Sequence, residues 1–141
     1  MAEIFPDEGL DHIFGVWPKN DAAIPASYKL KCFSNFTAST VMLEANGTAD
    51  VTESAWTNYS AQSIGSADWG AVADGTSGRK ITAPQQNMGT CGVTGGTVNG
   101  FYITTSDDAT VLCMANFDDT TAVVMAENDI LKITPALELV N

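Results

Sequence analysis

Catalysis and metal binding both need convergent side chains, and this sequence offers few. His12 is its single histidine. A Ser-His-Asp triad would have to be built on it, and no Gly-X-Ser-X-Gly elbow accompanies it. It falls in a short segment with helical spacing, where a surface or capping role is the plain reading. Cys32, Cys91 and Cys113 are far apart and odd in number. A structural zinc site needs four closely spaced Cys or His ligands, and a disulfide framework needs a denser, even set. The three are therefore expected to be buried, reduced thiols acting as small apolar side chains. Gly92, Gly95, Gly96 and Gly100 form no phosphate cradle with a lysine and are expected in loops and bulges. Asp107-Asp108 and Asp118-Asp119 could bind calcium at strand ends. They lack the ordered spacing of a calcium loop, and Asp is a good turn former without any metal. A carboxylate pair for glycoside hydrolysis needs a deep cleft, for which so short a β chain leaves little room. The sequence thus predicts no catalytic residue, no metal site and no cofactor.

The aromatic side chains carry the next question. Trp17, Trp56, Trp69, Tyr28, Tyr59 and Tyr102 could make a sugar-stacking platform or could fill a core, and core packing is the ordinary fate of large rings. Trp69, in a glycine-rich stretch with Asp on either side, is the one placed for exposure and so for a contact site. Near the N-terminus, Phe5, Leu10, Ile13, Phe14 and Trp17 are together too apolar to lie free in water. They are expected to dock on the rest of the domain, on a sister copy or on a larger particle. These five and Trp69 are the candidate partner-contact residues.

Composition narrows the partners. The chain carries 17 acidic and 6 basic residues, a formal net charge of −11. Nucleic-acid binding needs clustered Lys and Arg to replace counterions, and the densest basic stretches are only Lys29 with Lys31 and Arg79 with Lys80. Binding to DNA, RNA or an anionic membrane is not expected. Charged residues are 16% of the chain against 45% hydrophobic, where about 25% charged is usual. That imbalance suits a surface partly covered by partners. No run of about 20 apolar residues is present to span a bilayer. The acidic start, Met1 to Glu8, is unlike a secretory leader, so synthesis and residence in the cytosol of the producing cell are expected. The Asn-X-Ser/Thr sequons at Asn35, Asn46 and Asn58 are then chance in a Thr-rich chain.

Residues 141 in number suit one domain. Residues 1–26 form an N-terminal arm, with Leu10, Ile13 and Phe14 on one face of a short helix over 5–16 that Gly9 and Gly15 limit to a turn or two. Residues 27–141 form the domain proper. Strands are predicted over 28–33, 39–44 (ended by the turn dipeptide Asn46-Gly47), 79–83, 101–104, 110–115, 121–126 and 130–134, with a broken strand in 55–64 and a loop over 65–78. Short strands punctuated by turns every eight to twelve residues predict an all-β fold, a single sandwich or barrel domain behind a short N-terminal helix or arm. Strand count alone leaves sandwich and closed barrel both open. The dense run Val111 to Met114 marks either a central strand or a face covered by a neighbour.

Several stretches resemble small virion proteins of tailed phages. A strand followed by a Thr-rich polar stretch lies in 30–40. Glu53, then Tyr59-Ser60-Ala61-Gln62, then Trp69 resemble the family's middle. The aromatic strand, turn and apolar strand from Gly100 to Pro135 are similar to its end, with Asn128-Asp129-Ile130-Leu131-Lys132-Ile133 closing it; Asn128 stands where Gly is usual. Residues 88–97 depart from the pattern, and residues 1–26 have no counterpart. The resemblance implies a jelly-roll β-sandwich displayed on a virion. Such proteins include head decoration or cement proteins, often trimers, that bridge major capsid protein subunits or other virion proteins and have no active site.

Three readings follow from the sequence. A virion structural protein, made in the host cytoplasm and acting as a homo-oligomer, stands first. A tail- or fibre-associated receptor- or glycan-binding module stands second and needs exposed aromatics, Trp69 and Trp56 foremost. A small enzyme would need His12 or an acidic pair in a cleft with a shifted pKa.

Overall fold

The computed structural model describes residues 3–16, 23–37, 42–76, 78–117 and 122–140. One α-helix, two 3-10 turns (Thr48–Asp50 and Ser66–Asp68) and twelve strands appear among them: β1 (Glu3–Ile4), α1 (Asp7–Val16), β2 (Ser27–Phe33), β3 (Gln62–Gly65), β4 (Ala73–Asp74), β5 (Gly78–Thr82), β6 (Gln86–Thr90), β7 (Gly96–Val98), β8 (Gly100–Thr105), β9 (Val111–Asn116), β10 (Val123–Met125), β11 (Ile130–Ile133) and β12 (Ala136–Val140). The fold is all-β with a short N-terminal helix, as the strand rhythm predicts.

The organising feature is nested pairing. β8 pairs with β9, β7 with β10, β6 with β11 and β5 with β12, all antiparallel. The C-terminal half is therefore one long hairpin folded over on itself, which is the connectivity of a jelly roll. Its tip is the turn after β8, where Asp108 takes the left-handed conformation (φ +61°) and its N–H reaches the Thr105 carbonyl at 3.0 Å. Asp tolerates that region better than most residues. The hairpin bends where its prolines remove ladder donors. Pro84 and Pro135 stand at one corner, which the Ala83 N–H bridges by donating to the Pro135 carbonyl at 2.9 Å. At a second bend the Cys91 N–H donates to Asp129, and the Asn128 N–H donates back to Cys91, each at 2.8 Å. β2 adds to β8, β3 to β2 and β1 to β9, giving a five-stranded sheet in the order β1-β9-β8-β2-β3.

The core lies between this sheet and the other hairpin segments. Leu30, Ile64, Phe101, Ile103 and Cys113 from the five-stranded sheet meet Met88, Val98, Met125 and Ile133 from β6, β7, β10 and β11. Alternate side chains, Phe33, Tyr102 and Met114, point to the opposite face and pack with Phe36, Met42 and Val111, edged by Ile4 and Val51. Every residue of β8 is buried. The dense apolar run of β9 thus belongs beside a central strand, and its second face is covered by this chain's own loop rather than by a neighbour.

Several sequence expectations need correction. Gly9 does not curtail the helix, which runs ten residues. A Cβ at Gly9 would stand 2.5 Å from the Leu112 carbonyl oxygen, so the glycine lets α1 lie directly on β9. Glu8 fixes the same contact, accepting from the Val111 N–H at 2.5 Å and the Thr48 hydroxyl at 3.2 Å. Within 39–44, Met42 and Leu43 are not strand; Asn46 turns the chain there, its side chain accepting the Leu43 N–H at 2.6 Å. Residues 39–41 lie outside the described residues. The 55–64 stretch pairs as a strand only at its end, where β3 begins at Gln62, and the 65–78 loop contains the short strand β4. β1, β6, β7 and β12 correspond to none of the predicted strands. The turn expected at Asp118-Asp119 lies outside the described residues.

Candidate functional site

An apolar cleft of about 330 Å³ opens where the N-terminal segment crosses the folded hairpin. Phe5 and Ile13 line it from the N-terminal side, Tyr28, Ile103 and Leu112 from the five-stranded sheet, and Ile81 and Leu137 from β5 and β12. Trp69 closes one side, positioned by the 3-10 turn Ser66–Asp68, which Asp68 holds by accepting the Gly65 N–H at 2.9 Å. A second lobe of about 320 Å³ shares Phe5, Ile13, Ile81 and Leu137 and continues past Val72 to Arg79 and Lys80. The chain thus does form an open apolar cleft, and no carboxylate among the described residues lines it. α1 contributes His12 and Ile13 to one wall of the cleft.

The structure brings three of the six predicted contact residues together here. Phe5 packs against the core and lines both lobes; Ile13, 40% exposed, lines both lobes as well. Trp69 is half-buried against the core with one edge on the cleft. Leu10 and Phe14 turn outward, 37% and 58% exposed. With the exposed Asp7 and Asp11 they make an acidic, apolar outer stripe at helical spacing. Trp17 lies outside the described residues. Trp56, offered with Trp69 as a stacking platform, is only 6% exposed and lies against Tyr59 with ring centroids 4.5 Å apart. Tyr59 in turn accepts the Cys32 N–H at 3.0 Å, so both rings serve the core.

His12 sits in the cleft wall. Its Nε2 is buried and has no hydrogen-bond partner. Ser66 and Cys113 line the same cleft, but Ser66 gives its hydroxyl to the Pro25 carbonyl, and Nε2 hydrogen-bonds neither. The nucleophile–base hydrogen bond that would mark an activated Ser or Cys is therefore not made at this nitrogen. Among the described residues no group of three or more His, Cys, Asp or Glu side chains gathers to hold a metal ion. Cys32, Cys91 and Cys113 are buried and no disulfide links them. Burial pushes the Cys32 thiol up to about 12, with Glu53 adding to the effect. No described helix is long and apolar enough to cross a membrane.

The charged residues of the sheet face are used on one another. Asp108 takes Lys29 at 2.6 Å and Lys31 at 3.0 Å, while Lys31 also meets Glu53 at 3.1 Å. Partial burial of Asp108 raises its pKa, but hydrogen bonds from Lys29, Lys31 and Thr104 outweigh that and hold it at about 2. Burial lowers the pKa of Lys31, and its two carboxylates more than reverse the effect. Arg79 is bonded to Asp74 across the β4–β5 pair. Lys29, Lys31 and Arg79 of the two basic stretches thus carry their own counterions.

No protein-family model, curated protein or solved structure matches the chain.

Proposed function

We propose that this chain is a structural protein of a tailed-phage virion, a head decoration or cement protein that bridges capsid subunits and acts without turnover. The observation that carries the reading is the outward stripe of α1. Leu10 and Phe14 are exposed on a helix already anchored to β9 through Glu8 and Gly9. An anchored helix that still presents large apolar side chains to water is a surface made to be covered. The nested hairpin agrees, since jelly rolls are common among capsid and lectin domains. A net charge of −11 would keep such a protein off packaged DNA.

The test is co-sedimentation of the purified chain with capsids of the phage that encodes it. Saturable binding that Phe14→Glu weakens at least tenfold, with an unchanged circular dichroism spectrum, is the expected result. Absence of binding to capsids removes the proposal. A tail- or fibre-associated receptor- or glycan-binding module is the second reading, favoured by Tyr28 and Trp69 on one cleft. Affinity for host surface sugars without capsid binding would put it first.

A further inference from the structure

The cleft is more than a gap in the packing. Its first lobe is walled almost wholly by aliphatic and aromatic side chains, yet it holds one buried imidazole nitrogen with no partner. A buried polar atom left unsatisfied is costly, and wild-type cores seldom keep one without a use. Sites for small ligands have this make-up, an apolar cavity of roughly 300–1,000 Å³ with a few polar groups that fix orientation. The second lobe prolongs the apolar path between Phe5, Ile13, Ile81 and Leu137. The space is therefore elongated, with its polar atom in the first lobe.

We infer that the cleft is a binding site for a linear aliphatic amphiphile with one hydroxyl or carboxyl head. The head hydrogen-bonds His12 Nε2, and the chain runs between Ile81 and Leu137 toward the second lobe. The tail needs no polar partner along the shared walls. The head supplies what the protein does not, a hydrogen-bonding group at the cleft's unsatisfied nitrogen; Trp56 Nε1, also buried without a partner, belongs to the core and does not line the cleft. Trp69, at the side of the first lobe, gives the site an intrinsic reporter. The inference is independent of the virion reading, because a ligand could occupy this cleft in a protein of any role.

The test uses 1-decanol as probe on the full chain, read by Trp fluorescence and by two-dimensional NMR. The expected result is saturable binding, with shifts concentrated at Phe5, His12, Trp69, Ile81 and Leu137. His12→Leu keeps the apolar cavity and removes the head contact. It is expected to fold with undiminished thermal stability and to bind 1-decanol about fivefold more weakly, the equivalent of about 1 kcal/mol for one net hydrogen bond. Val72→Trp, at an exposed position on the second lobe, is expected to weaken 1-decanol more than 1-hexanol. Non-saturable binding, shifts centred instead on exposed apolar residues such as Val93 and Val124, or equal affinity in wild type and His12→Leu would overturn the assignment.

Discussion

Replacing Asp108 with Asn isolates the charge at the hairpin tip. Asn accepts the left-handed backbone that Asp108 adopts, so the turn itself survives. What is lost is the carboxylate shared by Lys29 and Lys31. A pKa held at about 2 against an ordinary 3.8 corresponds to about 2.4 kcal/mol, at roughly 1.36 kcal/mol for each pH unit. The side chain is 35% exposed, and solvent screens such pairs strongly. The expected loss is therefore about 1 kcal/mol, equivalent to a melting point lower by roughly 3 °C in a domain of this size. The sign with pH follows from the depressed value. The stabilisation is present above the unfolded pKa and is lost as pH falls toward about 2. Urea unfolding of both proteins, followed by Trp fluorescence at pH 7 and pH 2.5, gives the difference directly. The gap should be near its full size at pH 7 and mostly closed at pH 2.5. A gap that is the same at both pH values would refute the electrostatic account of the tip.

Gly9→Ala opposes two effects, since helix propensity alone would stabilise by about 1 kcal/mol while the new Cβ meets the Leu112 carbonyl. A net destabilisation of about 2 kcal/mol by urea unfolding is expected, and a gain would show that α1 does not sit on β9 as described. Cys32, with its thiol pushed up to about 12, should resist iodoacetamide at pH 8 in the native protein and react once urea is added; peptide mass spectrometry reads the difference.

The sequence carries the parts of this fold whose signal is local. β8 and β9 are dense apolar runs around the Ser106-Asp107-Asp108 turn, and β2 begins with apolar and basic residues in alternation. β6 escapes because Met88 is its single buried hydrophobic residue and Gly89 sits within it at φ +107°. That glycine resembles a loop residue in sequence, yet it is required where β6 passes the Asn58 carbonyl. β12 escapes because Pro135 looks like a terminator, whereas here it bends a strand that then resumes. Phe5, Ile13 and Trp69 are legible as apolar side chains in need of cover. Their meeting in one cleft with Leu137 is not legible, because it depends on how the hairpin folds back. The same limit applies to His12, whose burial against β-strand residues far along the chain has no counterpart in its local helical pattern.

The claim that this protein works by covering and being covered is tested most directly on the particle. Capsids that lack the chain are heated with increasing amounts of it, and the temperature of DNA release is recorded. The account predicts a saturable rise of several degrees that Phe14→Glu reduces. A release temperature that does not move while the particles are fully decorated would contradict it.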